Sequence, residues 1–343
     1  MDPTVISILK CPVCGSGRLS SKTFPEAGEG KTEDGVVWCP DCSMWYPVED
    51  GLLELLAGDL IYREDRVRFA RRYSANLVEL GLDPSFASAG QRDSRLQIQQ
   101  QSHFDWYAQN AEQSYSEYEQ TPFWLAADRI AFDAWRKEAG NGKWLVDLGC
   151  AQGRSAFKLM DLDLHIVGMD VSKRLVRQAL ERYRLGNYRA KAAFLVADAS
   201  SLPLVDESID YVLIYGVLHH LPDPKRTCRE VARVLKTGGV YFGSENNQSV
   251  FRKIFDLLQK IRPLWFEEAG PEALISAGTI GQAFSGTGVS IQTSTSVFLP
   301  PHLLNLMNNQ TAYRWLRFFD GIGRHLPLIK NNGGLILIRG EKG

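Results

Sequence analysis

The stretch Asp147-Leu148-Gly149-Cys150-Ala151-Gln152-Gly153 follows the apolar run Trp144-Leu145-Val146 and decides the fold. An apolar strand running into a glycine-rich turn, with a helical pattern from Arg154 to about Met160 behind it, is the opening unit of a parallel sheet. Downstream the unit repeats. A second strand, His165 to Met169, ends at Asp170, and Ser172 is placed to cap a helix reaching about Leu185. Leu175, Val176, Ala179, Leu180 and Tyr183 form the apolar face of that helix. Further strands read at Ala193–Val196, Ile209–Ile214 and Gly239–Gly243, with a closing strand at Gly334–Ile338 whose partner is the alternating run Val289 to Thr293. Strands alternating with helices predict an α/β sheet covered on both faces, with ligands taken at the carboxyl ends of the strands.

The chemistry of the turn narrows the ligand. Glycines let the backbone approach a bound molecule, and an acid ending the second strand is placed to accept hydrogen bonds from ribose hydroxyls. A dinucleotide site predicts GxGxxG, whereas here Asp147 precedes the first glycine and the spacing differs. An acid there repels a pyrophosphate but suits a cationic ligand carrying an α-amino group and a sulfonium, as S-adenosylmethionine does. Residues 143–247 resemble a class I S-adenosylmethionine-dependent methyltransferase of the type 11-like group: Asp147 to Gly153 matches its first motif with Ala151 replacing the middle glycine. The resemblance implies a Rossmann-like seven-stranded sheet and an in-line transfer of a methyl group. It assigns Asp147 and Gly149 to the amino-acid end of the cofactor, Asp170 to the ribose hydroxyls and Asp198, with Ala199 alongside, to the adenine amine; Cys150, Ala151, Gly153 and Val171 are further expected cofactor-binding residues. Tyr215-Gly216-Val217-Leu218-His219-His220-Leu221 resembles the fourth motif, which lines the cofactor and substrate side. Tyr215 either packs or touches cofactor, and His219 and His220 are the candidate bases. Lys236-Thr237-Gly238-Gly239 resembles the turn before the fifth strand.

Four of the six cysteines stand as Cys11-Pro12-Val13-Cys14 and Cys39-Pro40-Asp41-Cys42, with 24 residues between the pairs. Two such knuckles are the ligand set of a tetrahedral structural zinc site, because the two-residue spacer lets both sulfurs of a pair reach one ion. Four sulfur ligands leave no position for water, so the expected role is structural. The intervening Gly15 to Asp34 reads as a surface hairpin loop. Trp45-Tyr46-Pro47-Val48-Glu49-Asp50-Gly51 continues as an aromatic strand and a turn, before an apolar end at Leu52 to Leu56. Residues 5–57 resemble the small zinc-ribbon proteins and domains that partner tRNA, rRNA and protein methyltransferases, which implies a protein partner for the ribbon. Cys228 lies in a helical pattern and reads as a small buried residue.

Composition bounds the rest. Of 343 residues, 44% are hydrophobic and 23% charged, as in a globular protein with a sizeable core. A formal charge of -1 gives no global basic field toward nucleic acid or anionic lipid, leaving local patches open. The expected division is a ribbon at 1–57, a helical linker and aromatic lid at 58–142, and a methyltransferase domain at 143–343 with a substrate insertion at about 248–330. Between His103 and Trp135, nine of 33 residues are aromatic, which suits a lid or, equally, a core face. Phe251 to Arg262 reads as an amphipathic helix. The acidic N-terminus lacks a signal-peptide pattern and no apolar run reaches a membrane span, so the expected compartment is the cytoplasm. The leading acceptor is a small molecule such as a lipid, glycan or secondary-metabolite intermediate. An RNA acceptor stands second, although an NPPY-like base-reading motif is absent and the basic run Arg66 to Arg72 reads as a solvated helix face. A non-catalytic cofactor-binding scaffold is the reading from another class.

Overall fold

The computed structural model describes residues 2–24, 33–85, 95–110, 117–261 and 275–343. Parts of the expected hairpin loop (25–32), the aromatic segment (111–116) and the late insertion (262–274) lie outside the described residues.

Asp2 caps a short helix α1 (Pro3–Ile6), its carboxylate accepting from Thr4 N at 2.8 Å. The ribbon follows as β1 (Ser20–Thr23), β2 (Gly35–Trp38), β3 (Trp45–Glu49) and β4 (Leu52–Glu54), paired antiparallel in that order. The β3–β4 turn needs left-handed backbone at both central residues, and Asp50 (φ 51°) and Gly51 (φ 75°) supply it. Then come α2 (Arg63–Arg72), α3 (Ser74–Glu79), α4 (Arg95–Asn110) and α5 (Pro122–Arg136).

The second half begins with β5 (Lys143–Leu148), β6 (Leu164–Asp170), α6 (Lys173–Leu185), β7 (Lys191–Val196), β8 (Ile209–Tyr215), α7 (Pro224–Val234) and β9 (Leu235–Asn246). It ends with α8 (Val250–Ile261), α9 (Ala277–Ala283), β10 (Val289–Ser296), α10 (Pro301–Leu304), α11 (Asn309–His325) and β11 (Leu335–Lys342). Strands β7-β6-β5-β8-β9-β11-β10 are adjacent in that order, with β11 antiparallel to both neighbours. The expected seven-stranded sheet is therefore present. Its sixth strand in chain order, β10, falls inside the stretch read as an insertion, and α11 returns from it to pack on α5.

Two local expectations change. The helix expected from Arg154 to Met160 is a single 3-10 turn at Ala156–Lys158. Phe157 N still bonds four residues back to Gly153 O, but Lys158 N and Leu159 N bond only three back, to Ser155 O and Ala156 O, so the turn tightens and no α-helix propagates. The turn expected at Lys236–Gly239 is an irregularity within β9, with Gly238 at φ 74° and a register shift opposite Ile209 and Tyr211.

The ribbon does not stand apart. β4 lies parallel to β7, Leu53 opposite Leu195 and Glu54 opposite Val196, so eleven strands form one sheet. An exposed β7 edge would be a template for foreign strands, and the ribbon covers it. Val5, Leu9, Cys11 and Tyr46 share one apolar cluster with Val146, Val167 and Leu195.

A buried ionic seam reinforces the join. Lys173 Nζ, at the start of α6, reaches Glu49 Oε2 at 2.7 Å, Asp65 Oδ2 at 2.8 Å and Glu54 Oε2 at 3.5 Å. Arg66 Nε donates to Glu54 Oε1 at 2.9 Å and its other nitrogens to the carbonyls of Leu56 and Trp45. Arg66 is fully buried, which corrects its reading as part of a solvated face; Arg68, Arg71 and Arg72 do face solvent. Burial alone would depress the Lys173 ammonium, but Glu54, Glu49 and Asp65 outweigh it and hold its pKa above the ordinary lysine range.

Candidate active site

The carboxyl ends of β5, β6, β7, β8 and β9 open into a cavity of about 540 Å³. The sequence pattern brings most of its expected residues here. Gly149, Ala151, Asp170, Val171, Asp198, Ala199, Tyr215, His219 and His220 all line it. Asp147, Cys150 and Gly153 do not. Asp147 is buried beneath the turn, where its Oδ2 accepts from Ser155 Oγ at 2.6 Å and Ala156 N at 2.9 Å. Burial pushes its carboxyl up to about 7 despite those two bonds, and its Oδ1 has no hydrogen-bond partner among the described residues. Cys150 is buried against Gly168, leaving no room there for a larger side chain on the strand.

Asp170 holds the turn in shape. Its Oδ2 accepts from Ala151 N at 3.0 Å and its Oδ1 from Ser172 N at 2.9 Å. Burial raises its pKa to about 6, with those backbone bonds opposing. Ala151 is accordingly fixed at φ 45°, a backbone glycine would adopt more easily, which explains why glycine also suits that position. Gly149 (φ 71°) is packed so closely under Val217 that a Cβ would lie 2.5 Å from it. On the next strand end, Asp198 accepts from Ser200 N and Ser200 Oγ at 2.8 and 2.7 Å.

The expected residues omit the group that organises the far side. Glu245 is buried near the end of β9 and accepts from Val217 N at 3.0 Å and Leu218 N at 2.8 Å, while its Oε2 lies 2.7 Å from His219 Nδ1. A carboxylate only accepts, so Nδ1 carries the proton of this pair. The signal for Glu245 was present: like Asp170, it is an acid at a strand end. His220 instead packs edge-on against Phe104, ring centres 5.4 Å apart.

The aromatic segment divides between the two fates its composition allowed. In α4, Gln100, His103, Phe104, Trp106 and Tyr107 line the cavity. The helix is tied down over β6 by Asp105, which accepts from Tyr62 Oη at 2.9 Å and Ser172 Oγ at 2.5 Å, and by Gln101, which donates to Leu60 O at 2.9 Å. In α5, Phe132 and Trp135 are core, while Phe123 and Trp124 reach the cavity. Arg154 lies 4.7 Å from the Trp124 ring centre and 5.0 Å from that of Tyr215, paired with Glu119 at 2.7 Å. Tyr215 Oη bonds to Asp128, so Tyr215 both packs and lines the site.

At the other end of the sheet, the four knuckle sulfurs lie within 4.8 Å of one another, with Cys11–Cys42 at 3.6 Å and Cys14–Cys39 at 3.5 Å. Sulfurs about 2.3 Å from a common tetrahedral ion stand roughly 3.8 Å apart, whereas a disulfide is about 2.05 Å. The four are free thiols placed to bind a metal.

Comparison with known proteins agrees with both halves. Residues 146–243 match the family described as Methyltransferase domain, and residues 2–51 the family described as Trm112p-like protein. The chain joins a Trm112p-like domain to a methyltransferase domain. The methyltransferase domain is 35% identical over 99 residues to 27-O-demethylrifamycin SV methyltransferase of Amycolatopsis mediterranei, covering 29% of this chain and 36% of that one. It is 31% identical over 105 residues to Methyltransferase GfsG of Streptomyces halstedii, covering 30% and 38%. The chain thus spans well under half the length of these relatives. Magnesium protoporphyrin IX methyltransferase from Synechocystis PCC 6803, solved with bound SAH, shares the fold at a TM-score of 0.50 and 12% identity, over 71% of this chain and 100% of that one.

The cavity suits S-adenosylmethionine on the chemistry of its donors. Gly216 (φ 69°) lines it with nothing within 4 Å of where a Cβ would stand, so a side chain there would fill space the backbone leaves open. Asp170 and Asp198, on adjacent strand ends, offer acceptors for hydroxyls and an amine.

Proposed function

We propose that the protein is an S-adenosylmethionine-dependent methyltransferase acting on a small, largely apolar acceptor. The observation that carries this reading is the cavity itself: carboxylates at the ends of β6 and β7, aromatic rings of α4 and α5 in its wall, and a carboxylate-bound histidine beyond the end of β8. S-adenosylmethionine would supply an electrophilic methyl group on a sulfonium. Asp170 and Val171 would hold its ribose, Asp198 and Ala199 its adenine, and the Gly149–Ala151 backbone its amino-acid end. Asp147 would act from below, fixing the turn through Ser155 and Ala156.

The chain's own task is alignment, exclusion of water and removal of a proton. Phe104, Trp106 and Trp124 give a wall that excludes water and packs on apolar rings. Glu245 fixes the His219 tautomer, so that Nε2 would take the proton of a hydroxyl or amine acceptor. One of the relatives named above is a methyltransferase of a rifamycin-type compound, which supports a small-molecule acceptor over RNA.

The metal is read as zinc with a structural role, since four thiolates close the coordination shell. The ribbon's partner is read as the chain's own sheet, on the strength of the β4–β7 pairing and the Lys173 seam.

The test is to incubate the protein with methyl-labelled S-adenosylmethionine and a fractionated cell extract. Label is expected in the organic-soluble fraction. Label confined to RNase-sensitive material would replace the small-molecule reading with an RNA one. Cofactor binding with no transfer to any fraction would leave a scaffold.

A further inference from the structure

Helices α8 and α11 leave their apolar faces in solvent. On α8 the outward stripe is Val250, Ile254, Leu257 and Ile261; on α11 and just past it, Trp315, Phe318, Ile322 and Leu326. These eight side chains are between 42% and 75% exposed. Each stripe keeps helical spacing, so it is one continuous face rather than scattered residues. The helices are neighbours: Phe298 meets the Phe251 ring at 5.6 Å and closes on Gly323.

The charge around the stripes selects the occupant. Each helix has one acid, and each acid is taken: Asp256 by Arg252 at 2.7 Å, and Asp320, itself buried, by Arg324 at 3.5 Å. Lys253, Lys260, Arg314 and Arg317 are exposed and have no carboxylate partner among the described residues. A chain of net charge -1 thus concentrates unpaired cations beside its exposed aliphatic and aromatic side chains. A second copy docking through this face would set the same cations against each other. An anionic bilayer matches both features, with apolar side chains entering the headgroup boundary and Lys and Arg at the phosphates. No helix among the described residues is long and apolar enough to cross a membrane, so the mode is surface docking.

The geometry points to α8 and α11 as a docking face for an anionic lipid surface. The reverse side of α8 gives this a use, since Arg252 and Phe255 line the cavity. An acceptor dissolved in the lipid would therefore meet the site across one helix thickness.

Co-sedimentation of the full chain with vesicles tests this without turnover, so it stands or falls separately from the methyltransferase reading. Binding to phosphatidylcholine vesicles containing phosphatidylglycerol is expected to be at least about a hundredfold tighter than to phosphatidylcholine alone, at roughly fivefold per cation. It should collapse at about 0.5 M salt, where screening is nearly complete. Lys253→Gln with Lys260→Gln should lose about thirtyfold. Leu257→Ser or Trp315→Ser should lose about tenfold with an unchanged melting temperature, because both side chains are already exposed. Equal binding to both vesicle types, or none to either, overturns the proposal. So does a concentration-dependent dimer in solution that Phe318→Ser dissociates.

Discussion

The cysteine cluster and the cavity are two polar sites built on opposite plans. At the cluster, four sulfurs converge on one point and satisfy one another's geometry, with Tyr46 Oη 3.0 Å from Cys11 as a further partner. At the cavity, Asp170, Asp198 and Glu245 stand on separate strand ends, each held by backbone N–H groups from behind while facing open space. A closed set of ligands specifies a fold; carboxylates with acceptor capacity to spare specify a visitor. Between them lies the Lys173 seam, which belongs to neither and joins both.

The largest expected effect falls on the closed set. Cys39→Ser with Cys42→Ser should abolish the metal, expected at one equivalent in the native protein, and remove several kcal/mol of stability, because metal binding at such sites is folding energy of about 10 kcal/mol. Elemental analysis and thermal melts check both. Native protein with less than about half an equivalent would break the comparison, since the cluster would then not be a metal site.

Next comes the seam. Lys173→Met removes the buried ammonium shared by Glu49, Glu54 and Asp65, leaving Glu54 to Arg66 and Asp65 to Arg68, and should cost about 3 kcal/mol in denaturant unfolding. A loss under about 1 kcal/mol would mean the ribbon is held by β4 pairing and apolar contact alone.

At the cavity the effects should leave the fold intact. His219→Ala should lower kcat about 10²–10⁴-fold with cofactor affinity unchanged, as for loss of a general base. Glu245→Gln should fall short of that while shifting the pH profile of kcat. Equal kcat across all three proteins would remove the base from the mechanism. Asp170→Asn should weaken S-adenosylhomocysteine binding about 10–100-fold by calorimetry, from losing hydrogen bonds to a charged group.

The smallest effect is in pH. Asp170 has its folded pKa raised to about 6, so the ionised form that accepts from hydroxyls fills as pH rises through 6. Binding should strengthen about tenfold between roughly pH 5 and 7 in native protein and stay flat in Asp170→Asn. Unliganded stability should move the other way. Stability linked to a raised carboxyl is complete below its unfolded value near 4 and is lost as pH rises through about 6.

Much of this was legible in residues whose chemistry is local. Asp170 ends a strand, Ser172 caps a helix and each knuckle pairs two thiols because each depends on neighbours a few positions away. Glu245 was legible by the same rule and was missed because no glycine turn beside it marked it out. Arg66 was misread because a charge run looks the same solvated or buried. Only its distant partner Glu54, paired in turn with Lys173 119 residues further along, decides which.

The sequence alone determined the order of strands, the acids at their ends and the four sulfurs, since periodicity, turn chemistry and ligand spacing act within a few residues. The tertiary structure alone decided that Leu53 would lie against Leu195 and make one sheet of two domains. It also decided that aromatic residues of α4 would wall a cavity while Phe132 and Trp135 of α5 became core. It left Lys253 and Lys260 of α8 and Arg314 and Arg317 of α11 in solvent on helices that also expose apolar side chains. Burial and long-range pairing depend on what the rest of the chain brings alongside, and no window of sequence contains that.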